Sequence, residues 1–322
     1  MLINPLMAVR DIHFVSSVIV AGIVFFELFI ASPVLRASLQ FTGTAASFGS
    51  LTRRILWSNL ILSLASALAW LCLVSARIVG KPIGEVIADG TIWTVLSRTQ
   101  FGFAWEMRLL FGVLLAAFLL PRRAGAATWQ AFAGVLLAAS YLGSLAFAGH
   151  GAEGLGFERS IHLAADFLHL VAAGLWLGGL VPLVLLLACL RRFREERWVS
   201  AAGDIAGRFS NLGILAVGIL LISGTINVTF MVGGLSLTET RYGRLLLLKI
   251  TLFAAMVCLA GINRQHLLPR LSAGAGIEQG ARAVQLLLRN ALAEIILGLG
   301  IVVIVGILGI MAPINDMAGH LH

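Results

Sequence analysis

Eight stretches of about 20 mostly apolar residues, separated by polar or Gly/Pro-marked breaks, run the length of this chain, and each is long enough to cross a lipid bilayer as a helix. At 322 residues with 59% hydrophobic and only 12% charged side chains, and a mean hydropathy of +0.98, the chain is excluded from the soluble globular class. The expected fold is therefore all-α: a single integral-membrane domain over residues 1–322, with spans at 12–33, 55–79, 104–121, 127–148, 161–189, 209–231, 245–263 and 288–311. The third span is the shortest and carries Glu106 and Arg108 near its start. That end is expected to meet other helices rather than lipid.

The formal net charge of +8 does not point to nucleic acid, because the basic residues form no stripe with interleaved aromatics. Most of the 23 Lys and Arg residues fall in the 1–2, 3–4, 5–6 and 7–8 connections, among them Arg53, Arg54, Arg122, Arg123, Arg191, Arg192, Arg264 and Arg270. By the positive-inside rule that face is cytoplasmic and both termini lie outside. The first apolar run lacks a strongly basic leader, and Pro33 follows Ala31-Ser32, so a retained first span is expected rather than a cleaved signal. Cys72, Cys189 and Cys258 sit in three different spans, which argues against a disulfide framework.

Within span 5 the stretch HLAADFLHLVAAGLWLGGL (His162 to Leu180) sets two histidines and an aspartate in an otherwise apolar helix. An ionisable group inside a span costs at least about 2.5–3.5 kcal/mol, so it faces protein, a water-filled cavity or a metal. His162, Asp166 and His169 fall within roughly a 60° arc of a regular helix, and Trp176 continues the same line. With seven residues between them, the two histidines stand roughly 10 Å apart along the axis and do not share one ion. Partners must come from other spans. The short glycine-rich loop GHGAEGLGFERS returns His150 beside the top of span 5, and His13 starts span 1 at the same depth. Every histidine but His266 is expected on the outer side, where His320, His322 and Met107 also fall. Imidazole suits copper, zinc, iron and nickel and a thioether adds affinity for soft Cu(I), so the pattern favours an outward-facing transition-metal site. The competing reading of the stripe is a helix–helix hydrogen-bond network without metal. Glu27 shares a face of span 1 with His13 and Ser17. It is equally consistent with the lower end of a crossing path and with simple pairing to Arg53 or Arg54.

Taken in order, RDIHF, TQFGFAWEMRLL, GHGAEG with HLAADFLHLVAAGLWLGGLVPL, TRYGRLLLLK, INRQHLLPRL and LRNALAEIILG resemble the CopD family of bacterial inner-membrane copper-handling proteins (PcoD-like), over nearly the whole length. The resemblance implies a multi-pass inner-membrane protein that passes copper across or into the membrane, in the import direction. It implies a periplasmic copper-binding partner, CopC, here a separate chain, and places His13, His150, His162, Asp166 and His169 among the family's recurring polar positions. Two alternatives stay open: a b-type haem redox protein using His162 and His169 as axial ligands, and a non-transporting assembly or sensor subunit. No nucleophile–base triad, Walker loop or dinucleotide fingerprint occurs, so no enzyme is expected.

Overall fold

The computed structural model describes residues 4–36, 42–120, 128–148, 156–191, 196–232, 237–271 and 276–311. Every regular element among them is helical. Eight helices are long and apolar enough to cross a membrane: α1 Pro5–Leu35, α2 Ala45–Val79, α3 Gln100–Leu119, α4 Trp129–Ala148, α5 Gly156–Leu190, α6 Arg197–Phe230, α7 Arg241–Leu271 and α8 Ile277–Leu308. Most begin earlier than hydropathy alone places them, α6 at Arg197 instead of 209 and α8 at Ile277 instead of 288. The physical reason is that hydropathy marks only the lipid-immersed part. Backbone hydrogen bonding continues through polar turns such as those holding Asp204, Arg208, Glu278 and Arg282.

Helix starts follow from local chemistry. Asn4 caps α1 by accepting from the Leu6 amide, with Pro5 at the first helical position. Thr99 and Thr240 cap α3 and α7 through the amides of Gly102 and Gly243 at 2.9 and 3.0 Å. Between α2 and α3, two short helices (Ile83–Ala88 and Thr91–Arg98) are joined at Asp89. Its carboxylate takes Lys81 Nζ at 2.6 Å and the Thr91 amide at 3.0 Å. The Lys81 and Thr91 hydrogen bonds hold that carboxyl down at about 2.

α1 and α5 are the most buried helices, while α6 and α7 are largely turned outward. α1 and α5 cross at glycine: a Cβ on Gly22 would overlap the Gly178 backbone, and one on Gly178 would overlap the Val18 carbonyl. Close backbone approach of this kind is how membrane helices gain packing without a hydrophobic driving force. Two cores result. One packs α1 against α2–α4 through Ala21, Phe25, Trp70, Trp105 and Tyr141. The other gathers Phe26, Trp176, Leu186, Ala202 and Val284 from α1, α5, α6 and α8. The end where the odd-numbered helices begin is called the upper end below.

Candidate functional site

α1 presents two polar faces to two different neighbourhoods. His13 is fully buried and turned toward α2–α4. Its Nδ1 lies 2.9 Å from the Ser63 carbonyl and 3.0 Å from Ser66 Oγ, and its Nε2 accepts from Arg108 Nε at 2.5 Å. Since Nε2 accepts, the proton sits on Nδ1 and bonds the carbonyl, which makes His13 the neutral Nδ1–H tautomer. Arg108, fully buried on α3, spreads its guanidinium over the Tyr141 carbonyl at 2.7 Å, Ser144 Oγ at 3.2 Å and Ser17 Oγ at 2.5 Å. It also stacks on the Tyr141 ring at 4.3 Å. Ser63 joins Ser17 at 2.8 Å and the Tyr141 hydroxyl. The His13 ring packs against Trp70 and Trp105 at 5.6 and 5.7 Å. The expectation that His13 forms another wall of the α5 stripe therefore meets a different arrangement. Both ring nitrogens are engaged by protein, through Ser63 and Ser66 of α2 and Arg108 of α3.

Another face of α1, roughly 100° round the helix from His13, carries Arg10, Phe14 and Val18. It lines a cavity of about 260 Å³ shared with Asp166 and His169 of α5, Asn227 of α6, and Tyr242 and Lys249 of α7. An adjoining cavity of about 390 Å³ is lined by His169, Trp176, Lys249 and Phe253. The α5 stripe is thus a wall of real space. His162 is 8% exposed and stacked on Phe230 with centroids 4.9 Å apart. Its Nε2 has no hydrogen-bond partner among the described residues and lies 3.9 Å from Asp166 Oδ2. Asp166 Oδ1 accepts from Asn227 Nδ2 at 2.5 Å. His169 Nδ1 meets Ser223 Oγ at 2.9 Å, while the Ser223 hydroxyl donates to the Ile219 carbonyl at 2.6 Å. Ser223 therefore accepts from Nδ1–H, and His169 is left a lone pair on Nε2. Among the described residues no three His, Cys, Asp or Glu side chains converge on one ion, as the spacing along α5 requires. The arrangement offers successive donors rather than one closed cage.

Trp176 sits at the foot of the stripe, 3% exposed, in the π-helical turn Gly174–Gly178. It lines the 390 Å³ cavity above and a third cavity of about 220 Å³ below. There its indole bonds Glu294, which also accepts from Asn263 Nδ2 at 2.9 Å. Glu27 accepts from Thr52 Oγ1 at 3.0 Å and shares a lower pocket with Arg53, in keeping with the pairing alternative. Met107 is half-buried on α3, a helix that lines none of the three cavities bordered by α5. His150, His320 and His322 lie outside the described residues.

Sequence reasoning missed the hub role of Arg108, although an arginine within the shortest span was the signal available. Lys249 and Glu294 are likewise visible in the sequence only as charges within apolar spans, because periodicity does not tell which neighbouring helix a face meets.

The chain matches the family model described as Copper resistance protein D over residues 203–308, and that of the Copper resistance protein D-like N-terminal domain over residues 1–160. It is 32% identical to the inner membrane protein YebZ of Escherichia coli over 82% of this chain and 84% of that protein. It is likewise 32% identical to copper resistance protein D of Pseudomonas syringae pv. tomato, over 71% and 72%. Against copper transport protein CutJ of Bacillus subtilis it is 31% identical over 85% of this chain, but spans about half of that longer protein, 48%. No solved structure matches. By similarity over most of its length and by its eight membrane helices, the chain is a polytopic membrane protein of the copper resistance protein D family.

Proposed function

We propose that this protein takes up copper at its upper end, the periplasmic face of the inner membrane, and moves it through the α5–α8 half of the bundle toward the cytoplasm. The observation that carries the reading is the wall formed by the unpartnered His162 nitrogen, the Asp166 carboxylate and the free His169 Nε2, with the latter two lining one cavity. Two imidazole nitrogens and a carboxylate at successive depths suit an ion that must bind and then leave. The other half of the bundle is a poor route for a cation. Arg108 lies buried there, and its hydrogen-bond partners are the neutral His13, Ser17, Tyr141 and Ser144. The names of the Bacillus and Pseudomonas relatives support copper as cargo. His150 and the terminal histidines His320 and His322 belong to the proposed approach from the periplasm, where a separate CopC-like protein delivers the ion. His13, in this reading, holds α1–α4 together. The test is copper content of the detergent-purified chain by mass spectrometry, with uptake into proteoliposomes alongside. His162→Ala and His169→Ala are expected to lower both. Wild-type copper content in the two variants overturns the assignment.

A further inference from the structure

Among the described residues, the half-buried carboxylates of the membrane helices each face a basic side chain. Asp11 adjoins Arg10, Glu27 shares its pocket with Arg53, and Asp166 shares its cavity with Lys249 and reaches toward His162. Glu294 differs. It is 2% exposed on α8, and its partners are two neutral N–H donors, the Asn263 amide and the Trp176 indole. Asn263 is itself fixed by Asn290, whose Nδ2 donates to Asn263 Oδ1 at 2.7 Å. Neutral N–H donors favour the ionised carboxylate without supplying a positive charge, which leaves this carboxyl group open to a cation. The nearest candidates are held elsewhere. Arg264 lines the same 220 Å³ cavity but spends its guanidinium on Ser210 and Asn211 of α6 at 2.8 and 2.9 Å, and Lys249 lies across Trp176 in the upper cavity.

We infer that Glu294, facing the cavity beneath Trp176, is a second, inner station for the cargo cation, and that the Trp176 indole is the partition between it and His169. The inference rests on the copper route proposed above and extends it past the end of the histidine stripe. Trp176 borders the cavities on both sides, which places its ring between the two stations. Its bond to Glu294 is the contact an arriving cation replaces. The station binds through carboxylate oxygen, a weak ligand for soft Cu(I). Weak binding suits a site the ion must leave. The π-helical turn that carries Trp176 lies between α-helical segments, a local distortion frequent at functional positions.

The experiment uses the full chain in detergent with copper(I) as the probe, followed by infrared difference spectroscopy in the carboxylate region and by metal content. Wild-type protein is expected to shift a carboxylate band when copper is added. Glu294→Gln is expected to lose the Glu294 part of that shift, leaving the part that Asp166 contributes, while keeping the copper held at the histidine stripe. Glu294→Asp retains the charge and should show the band at a displaced frequency, which guards against a misfolded Gln variant. Difference spectra that superimpose for wild type and both variants overturn the inner station. A wild-type chain that holds no copper by mass spectrometry overturns instead the copper reading on which the station rests.

Discussion

Replacing His13 by alanine is expected to loosen the helix bundle while leaving copper binding per folded chain intact. The substitution removes the bond from Nδ1–H to the Ser63 carbonyl and the bond from Arg108 Nε–H to Nε2. Interhelical hydrogen bonds in membrane proteins are worth about 0.6 and at most about 1.7 kcal/mol each, so the pair contributes roughly 1–3 kcal/mol. The guanidinium then keeps a buried donor without an acceptor, which costs about 1–3 kcal/mol more. The imidazole also leaves a void beside Trp70 and Trp105. A total loss of about 2–6 kcal/mol follows, large for any single substitution. Unfolding in mixed detergent and dodecyl sulfate micelles measures it as a lowered midpoint, and mass spectrometry of the folded fraction reports copper. A variant as stable as wild type but depleted of copper refutes the reasoning, since His13 then acts as a ligand rather than as the acceptor for Arg108.

Gly178→Val is expected to push α1 and α5 apart, because a Cβ there meets the Val18 carbonyl. Overpacking of this kind costs about 1–3 kcal/mol. The same unfolding assay detects it, and an unchanged midpoint removes the glycine crossing from the account. For the α2–α3 connection, the Asp89 carboxyl is depressed from 3.8 to about 2, so its contribution is complete above the unfolded value and is lost as pH falls through the folded one. Protection of the Thr91 amide, taken as its exchange rate relative to the intrinsic rate at each pH, should therefore hold steady from neutral pH down to about 4 and fall only toward about 2. An earlier fall denies Asp89 that role.

Much of the architecture is legible in the amino-acid order, for a reason specific to lipid. With no water to satisfy backbone groups, an apolar run of this length has helix as its one outcome, so eight runs mean eight membrane helices. The cost of ionisable groups in lipid also singles out His162, Asp166 and His169, whose spacing places them on one face. That Asp166 and His169 line a cavity is something the packed bundle adds.

What a helical face looks at is a different matter. On α1, His13 and Arg10 are three residues apart, yet His13 turns into the Arg108 network and Arg10 lines the α5–α8 cavity. Nothing in the order of residues near His13 announces Arg108, ninety-five positions away. Likewise Glu294 and Trp176 become partners only when α8 packs beside α5. Periodicity and hydropathy act within one helix and so determine the spans and the stripe. Hydrogen-bond partners, cavities and the charge left unpaired depend on how helices are rotated against one another, and close packing of the folded bundle alone decides that.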